Sequence, residues 1–405
     1  MHAYTVRLFA REIPVTESTP ERRELTLSLR LTAVVSLRVL GLFLIMPVFM
    51  VLAAERDGFT PLLGGLAVGV YGLTQALLQQ PFGALSDRWG RRRVILLGLT
   101  LFTVGGVLAA LAESMALLIA GRALQGCGAI AGVALAFAAD ATAPERRSRA
   151  MALIGIGIGF AFLLSTVLAV PLANLLGLEG LFWLTAVLGI VGIVLTPSEK
   201  TSTPRAHVVH DDGPIHGLWP LVLSVFFLHA AMTMIFVVLP GLLIERYGLV
   251  LSRHWVIYVP AMVVSALALF PVLRALSGRG WERAALPSVF GTMGVSVLAL
   301  AAPVSLPVII AVAVAYFLAF NVLEAALPAE VSRLAPNAKR GRTMGRYTMS
   351  QFFGAFVGGV SGGALVEWAG ATAALNIAGG FSLAWAALLW ALWRAARRPS
   401  DEGSV

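Results

Sequence analysis

Apolar stretches of about 20 residues recur along the whole chain, and nothing else in the sequence constrains the fold as strongly. About 20 helical residues cross the ~30 Å hydrocarbon core of a bilayer. Inside that core every backbone N–H and C=O must be bonded within the protein, so only helices and closed barrels can span it. Barrel strands would read as ~10-residue segments of alternating hydropathy, and the runs here are continuous. Charged residues make up only 13 % of the 405 positions, against about 25 % in a soluble domain. Mean hydropathy is +0.86. The chain therefore reads as a polytopic, all-α membrane protein.

Twelve spans are read, near residues 30–54, 62–84, 94–113, 115–139, 150–174, 180–196, 218–244, 254–276, 285–302, 306–328, 346–366 and 371–393. Lys and Arg test the count independently, because they gather on the cytoplasmic side. On alternating sides, 25 fall on one face and only Arg56, Arg246 and Arg253 on the other, with Arg38 and Arg122 inside spans. Both termini are thus expected in the cytoplasm of a cell whose inner (plasma) membrane holds the protein. The net charge of +9 is explained by topology, and no nucleic-acid partner is expected. The single cysteine, Cys127, excludes a disulfide framework within the chain. Residues 1–29 mix Arg and Glu without an apolar core, read as a cytoplasmic tail, and do not resemble a cleavable signal peptide. The polar stretch 197–217, with His207, His210 and His216, reads as a solvated linker rather than a metal site. It separates a six-helix bundle at 30–196 from another at 218–393, followed by a tail at 394–405.

One short loop stands out between spans 2 and 3: Gly83-Ala-Leu-Ser-Asp87-Arg88-Trp-Gly90-Arg91-Arg92-Arg93. Positive-inside topology explains the arginines but neither the acid nor the two glycines. Gly83 suits a close helix approach, and Gly90 suits a backbone turn with φ > 0. Gly83, Leu85, Asp87, Arg88, Gly90, Arg91 and Arg92 match the signature between helices 2 and 3 of the major facilitator superfamily, which this loop resembles. The resemblance implies twelve transmembrane helices in two six-helix bundles and transport by alternating access. It also implies that Asp140, closing span 4, pairs with Arg91, and that Asp87 sits near the start of helix 11, here near Arg346. Together these groups would form a cytoplasmic latch between the halves.

Charged groups at mid-membrane cost about 2.5–3.5 kcal/mol each on insertion scales, so the few present are candidates for mechanism. Arg38 in span 1 either snorkels to the interface or faces a cavity. Arg122 lies too deep to snorkel easily. With Gln125, Gly126 and Gly128 it resembles a second superfamily signature, R-x-x-Q-G-x-G, whose Arg is implicated in proton coupling. Glu324 is the one carboxylate placed clearly inside a span; burial disfavours its charged form, which suits a proton carrier or a counter-ion to a cationic substrate. Asn321, one turn earlier, shares its polar face. Tyr71, Gln75 and Gln79 recur every four residues in span 2, and Gln80 follows them. His229 lies mid-span as a relay or as a hydrogen-bonded helix contact. Span 5 carries Gly155, Gly157, Gly159 and Pro171, but the Gly-Pro of the antiporter signature is absent.

Longer stretches narrow the resemblance. Ser36-Leu37-Arg38, Tyr71-Gly72-Leu73-Thr74-Gln75-Ala76, Ala319-Phe320-Asn321 with Glu324-Ala325, and Ser350-Gln351-Phe352 resemble the YajR-type branch of proton-driven drug-efflux transporters. The extra soluble domain that follows helix 12 in that branch's best-known member is not expected here. The resemblance implies proton-coupled export of amphipathic small molecules by a monomer in the bilayer, without cofactor or metal. Proton-coupled uptake of a sugar or organic acid is the first alternative, and a non-transporting membrane sensor the second. No P-loop motif and no nucleophile–base pair is readable, which argues against ATP drive and against an enzyme.

Overall fold

A computed structural model describes residues 20–198, 215, 217–277, 282–336 and 340–397. The helices are α1 (Pro20–Ile45), α2 (Phe49–Ala53), α3 (Pro61–Trp89), α4 (Arg91–Ala110), α5 (Met115–Gly126), α6 (Ala131–Asp140), α7 (Arg147–Leu195), α8 (Leu218–Tyr247), α9 (Trp255–Ser277), α10 (Glu282–Ala301), α11 (Leu306–Leu334) and α12 (Arg340–Arg397), with a 3₁₀ turn at Leu251–Arg253 before α9. Among the described residues nine helices are long and apolar enough to cross a membrane, and α10 adds a shorter apolar one. Two of the nine are double. Gly177 (φ 64°) breaks α7 and Gly370 (φ 84°) breaks α12, each giving two limbs. Twelve crossings result, six before the linker and six after it. The linker histidines His207, His210 and His216 lie outside the described residues, as do residues 278–281.

Local chemistry sets the ends. Thr60 Oγ1 accepts from Leu63 N at 3.2 Å and Pro61 takes the first helical position, so α3 starts there. It stops at Gly90, whose φ of 92° suits a residue without Cβ. Gly248 ends α8 in the left-handed region, with Gly248 N bonded to Ile244 O and Leu249 N reaching back to Leu243 O.

Two expected spans need correction. The first starts at Pro20 rather than near 30, so residues 20–29 are helical, and it breaks at Pro47, which offers no N–H. The fourth is not continuous: the helix stops at Gly126 and resumes at Ala131. Glycine weakens a helix, and here Gly128 lies so close to the Gly98 carbonyl that a Cβ would overlap it.

The halves meet unevenly. The end of the molecule carrying Gly83–Arg93 is here called the loop end, and the opposite one the far end. Toward the far end α3 and the first limb of α12 pack backbone to backbone. A Cβ on Gly65 would overlap Gly359 O and lie 2.9 Å from Gly363 Cα, and one on Gly69 would lie 2.7 Å from Phe356 O. Leu62 N, in the first turn of α3, donates to Glu367 Oε2 of α12 at 2.9 Å. One apolar core runs across both halves there, from Leu44–Phe49 and Met115–Leu118 to Met234–Leu243 and Ile257–Met262. The first half has a separate core nearer the loop end, built from Leu27–Val35, Val94–Leu99, Ile130–Phe137 and Ile154, with no member from the second half. Among the described residues the halves are in close contact toward the far end, while the first-half core nearer the loop end takes nothing from the second half. Large apolar side chains such as Ile156, Leu175, Leu267 and Phe270 are exposed, as a lipid-facing belt requires.

Candidate functional site

At the loop end Arg91 is the hub. Its Nε donates to Asp140 Oδ2 at 2.9 Å, its Nη1 donates to Ser86 Oγ at 2.6 Å, and Nη1 stands 2.5 Å from Asp87 Oδ1. Ser86 is a partner that sequence reasoning missed, since a serine in a polar loop carries no signal. Arg91 is buried, whereas Arg88 and Arg92 are exposed. Asp87 keeps half of its side chain exposed, and its ion pair among the described residues is with Arg91, within its own loop. The helix it was expected to cap begins at Arg340 rather than near Arg346. Gly83 also differs from expectation: a Cβ there would meet nothing within 4 Å, so no helix approaches it in this state.

Midway along the helices of the first half, Arg38 (α1), Tyr71 and Gln75 (α3), Arg122 and Gln125 (α5) and Thr185 (α7) gather. All are buried. Arg38 Nη2 donates to Gln75 Oε1, so Arg38 does not snorkel. Arg122 donates from Nη1 to Gln125 Oε1 at 2.8 Å and from Nε to the Ala67 carbonyl at 3.4 Å; Gln125 Nε2 donates to Thr185 Oγ1 at 3.0 Å. The two guanidinium carbons stand 5.5 and 4.9 Å from the Tyr71 ring centre. Each such contact contributes about 0.5–2 kcal/mol, against about 2.5–3.5 kcal/mol to place each charge there, so the ring offsets only part of the cost. The break after Gly126 falls within one turn of Gln125, and neighbouring backbone comes too close for a Cβ at Gly126 and, inside the break, at Gly128. A Cβ on Gly126 would overlap Tyr71 O of α3. Gln79 is buried on the Tyr71 face, while Gln80 is exposed.

In the second half Glu324 (α11), His229 (α8) and Gln351 (α12) form a triad. Gln351 Nε2 donates to His229 Nε2 at 2.8 Å and to Glu324 Oε1 at 3.2 Å; His229 Nε2 lies 3.6 Å from Glu324 Oε2. His229 Nδ1 is 3.2 Å from Val225 O, one turn back in its own helix. Those bonds assign the proton to Nδ1 and leave Nε2 to accept from Gln351. Glu324 Oε2 has no hydrogen-bond partner among the described residues, although 37 % of the side chain is exposed. Asn321 turns away instead and donates to Ser265 Oγ of α9 at 3.2 Å. Gln351 was missed as a site residue, although it is an amide in the apolar stretch 346–366 and lies within Ser350-Gln351-Phe352, one of the stretches that carry the resemblance. Glu330 is a second carboxylate within α11, 2 % exposed and 2.7 Å from Arg333, nearer the loop end. Aromatic rings bridge the halves one turn away from Glu324: Phe162 (α7) lies 5.7 Å from Phe320 (α11), which stands edge-on to His229 at 5.8 Å.

Two helical bundles in close contact toward one end, each carrying buried polar or charged groups, have counterparts among known proteins. The sequence pattern of the Major Facilitator Superfamily matches residues 31–329 and again 221–405. The chain belongs to that superfamily. It is 36 % identical over 362 residues to the inner membrane transport protein YajR of Escherichia coli (strain K12), covering 85 % of this chain and 78 % of YajR. It is 26 % identical over 351 residues to the multidrug resistance protein MdtH of Aeromonas salmonicida (strain A449), covering 82 % and 86 % of the two chains. The crystal structure of the human organic anion transporter MFSD10 superposes with a TM-score of 0.69 at 20 % identity, over 90 % of this chain and 99 % of that one. As a superfamily member the chain is a multi-pass membrane transporter, not an enzyme.

Proposed function

We propose that this transporter exports amphipathic small molecules in exchange for protons, by alternating access between halves at 30–196 and 218–393. One observation carries the reading. Glu324 is a half-covered carboxylate in the middle of a membrane helix, with one oxygen lacking a hydrogen-bond partner and His229 and Gln351 on the other side. An intramembrane carboxylate facing the space between two bundles marks an ion or substrate path. A neutral His229 leaves it without a full counter-charge, so it can exchange a proton or meet a cationic substrate but cannot do both at once. That exclusion is what couples two fluxes in opposite directions. The names of YajR and MdtH agree with transport and with resistance by efflux.

The Lys and Arg count puts the loop end in the cytoplasm and supports both termini there. The state described here then faces inward, with the Gly83–Arg93 latch released and Arg91 holding Asp87 and Asp140 in reserve. Protein reconstituted in liposomes with an imposed pH gradient tests the reading. Addition of amphipathic cations should release protons from the lumen at a rate set by the cation. Cation uptake without any proton movement would overturn it.

A further inference from the structure

The first-half cluster leaves more donors than acceptors unpartnered, Gln79 Oε1, one turn beyond Gln75, being a buried acceptor without a partner among the described residues. Arg38 uses Nη2 on Gln75 Oε1, which leaves Arg38 Nε, Gln75 Nε2 and Tyr71 Oη buried and without a hydrogen-bond partner among the described residues. All three can donate, and the first two can only donate. Gln75 and Tyr71 stand one helical turn apart, and the Arg38 guanidinium carbon lies 5.5 Å from the Tyr71 ring centre, so the three share one locality. Arg122 adds a second positive charge 4.9 Å from the same ring. Among the described residues neither guanidinium has a carboxylate within ion-pairing distance, whereas Arg56, Arg91, Arg146 and Arg333 each do. Buried donors without acceptors and buried positive charge without a counter-charge call for the same occupant, a compact anion.

We propose that Arg38, Gln75 and Tyr71 form an anion-binding subsite that takes either a carboxylate group carried by the transported molecule or a small inorganic anion. Leu42 and Phe102 pack with Tyr71 of the subsite, and Phe352 from the second half packs against that cluster. Gly72 abuts the Phe352 backbone, with 2.6 Å between its Cβ position and Phe352 O. The second half therefore covers the subsite in this state, and separation of α3 from α12 would uncover it. The subsite lies on the half opposite Glu324, so a molecule held by both would carry an acid at one end and a base at the other. The proposal rests on the transporter reading but not on Glu324 as proton carrier.

Thermal unfolding of the purified full-length protein in detergent tests it, with a bulky sulfonate as the only buffer anion. Sodium chloride, sodium acetate and sodium benzoate are titrated at constant sodium concentration. Wild type should show a saturable rise of roughly 2–4 °C. A rise with acetate or benzoate assigns the subsite to a substrate carboxylate, and a rise with chloride alone assigns it to an inorganic ion. Gln75→Glu places a carboxylate beside Arg38, so its unfolding temperature should lie at or above wild type and its response to every salt should vanish. Arg38→Gln should lose the response as well and gives the same reading if Gln75→Glu does not fold. Glu324→Gln should keep the full response, which separates this proposal from the proton reading. No saturable response in wild type, or an undiminished one in Gln75→Glu, overturns it.

Discussion

Replacing Gly65 by valine should prise the far end open. The Cβ position of Gly65 overlaps the Gly359 carbonyl and lies 2.9 Å from Gly363 N and Cα, all backbone atoms that cannot turn aside. Relief requires α3 and α12 to move apart, and they are neighbours across the two halves. Overpacking of this kind costs about 1–3 kcal/mol. The cost falls only on the state in which those backbones touch. The equilibrium between far-end-closed and far-end-open forms should therefore shift by roughly 5–150-fold toward the open form. Spin labels on Glu113Cys and Val250Cys, in the Cys127→Ser background, report the separation of the halves at the far end by double electron–electron resonance. Gly65→Val should lengthen the distance distribution. Gly159→Val is the control, because its Cβ would meet nothing within 4 Å, and it should leave the distribution unchanged. A folded Gly65→Val protein with the wild-type distances would refute the close α3–α12 contact as the seal.

Other contacts make narrower predictions. Glu367→Gln weakens the bond from Leu62 N, and a charge-assisted bond to a helix start contributes about 0.3–1 kcal/mol; the same labels should report a smaller opening than in Gly65→Val. Arg91→Ala strips partners from Asp140, Ser86 and Asp87 at once and should cost about 1–3 kcal/mol, read as a lower unfolding temperature in detergent, whereas Arg92→Ala, at an exposed position, should leave it within error. Gly128→Val overlaps the Gly98 carbonyl and should reduce the yield of folded protein more than Gly155→Val, which meets nothing within 4 Å.

The fold was legible because hydropathy and the positive-inside bias are independent signals that agree on twelve crossings. The gaps between the spans ending at 174 and 366 and those that follow hold Gly177 and Gly370, the residues that turn α7 and α12. The interruption after Gly126 was not legible, since Cys127, Gly128, Ala129 and Ile130 keep the run apolar while the helix stops. Deep charges could be found one by one, but not their partners. Gln75 meets Arg38 from 37 residues away, Thr185 meets Gln125 from 60 and Gln351 meets His229 from 122. Such pairings depend on how helices pack, which periodicity within one helix does not encode. The Gly83–Arg93 loop was legible as a motif, while the pairing of Arg91 with Ser86, Asp87 and Asp140 belongs to one conformational state, which a sequence does not specify.

Glu324→Gln, reconstituted beside wild type, bears most directly on proton-coupled export. Two fluxes are read in the same liposomes: proton movement driven by an amphipathic cation, and exchange of labelled for unlabelled cation with no gradient. The glutamine keeps the shape and a bond to Gln351 but cannot release a proton. The account predicts that proton movement disappears and that exchange falls with it, because the glutamine also removes the charge a cationic substrate would meet. Proton movement at the wild-type rate in Glu324→Gln would contradict it.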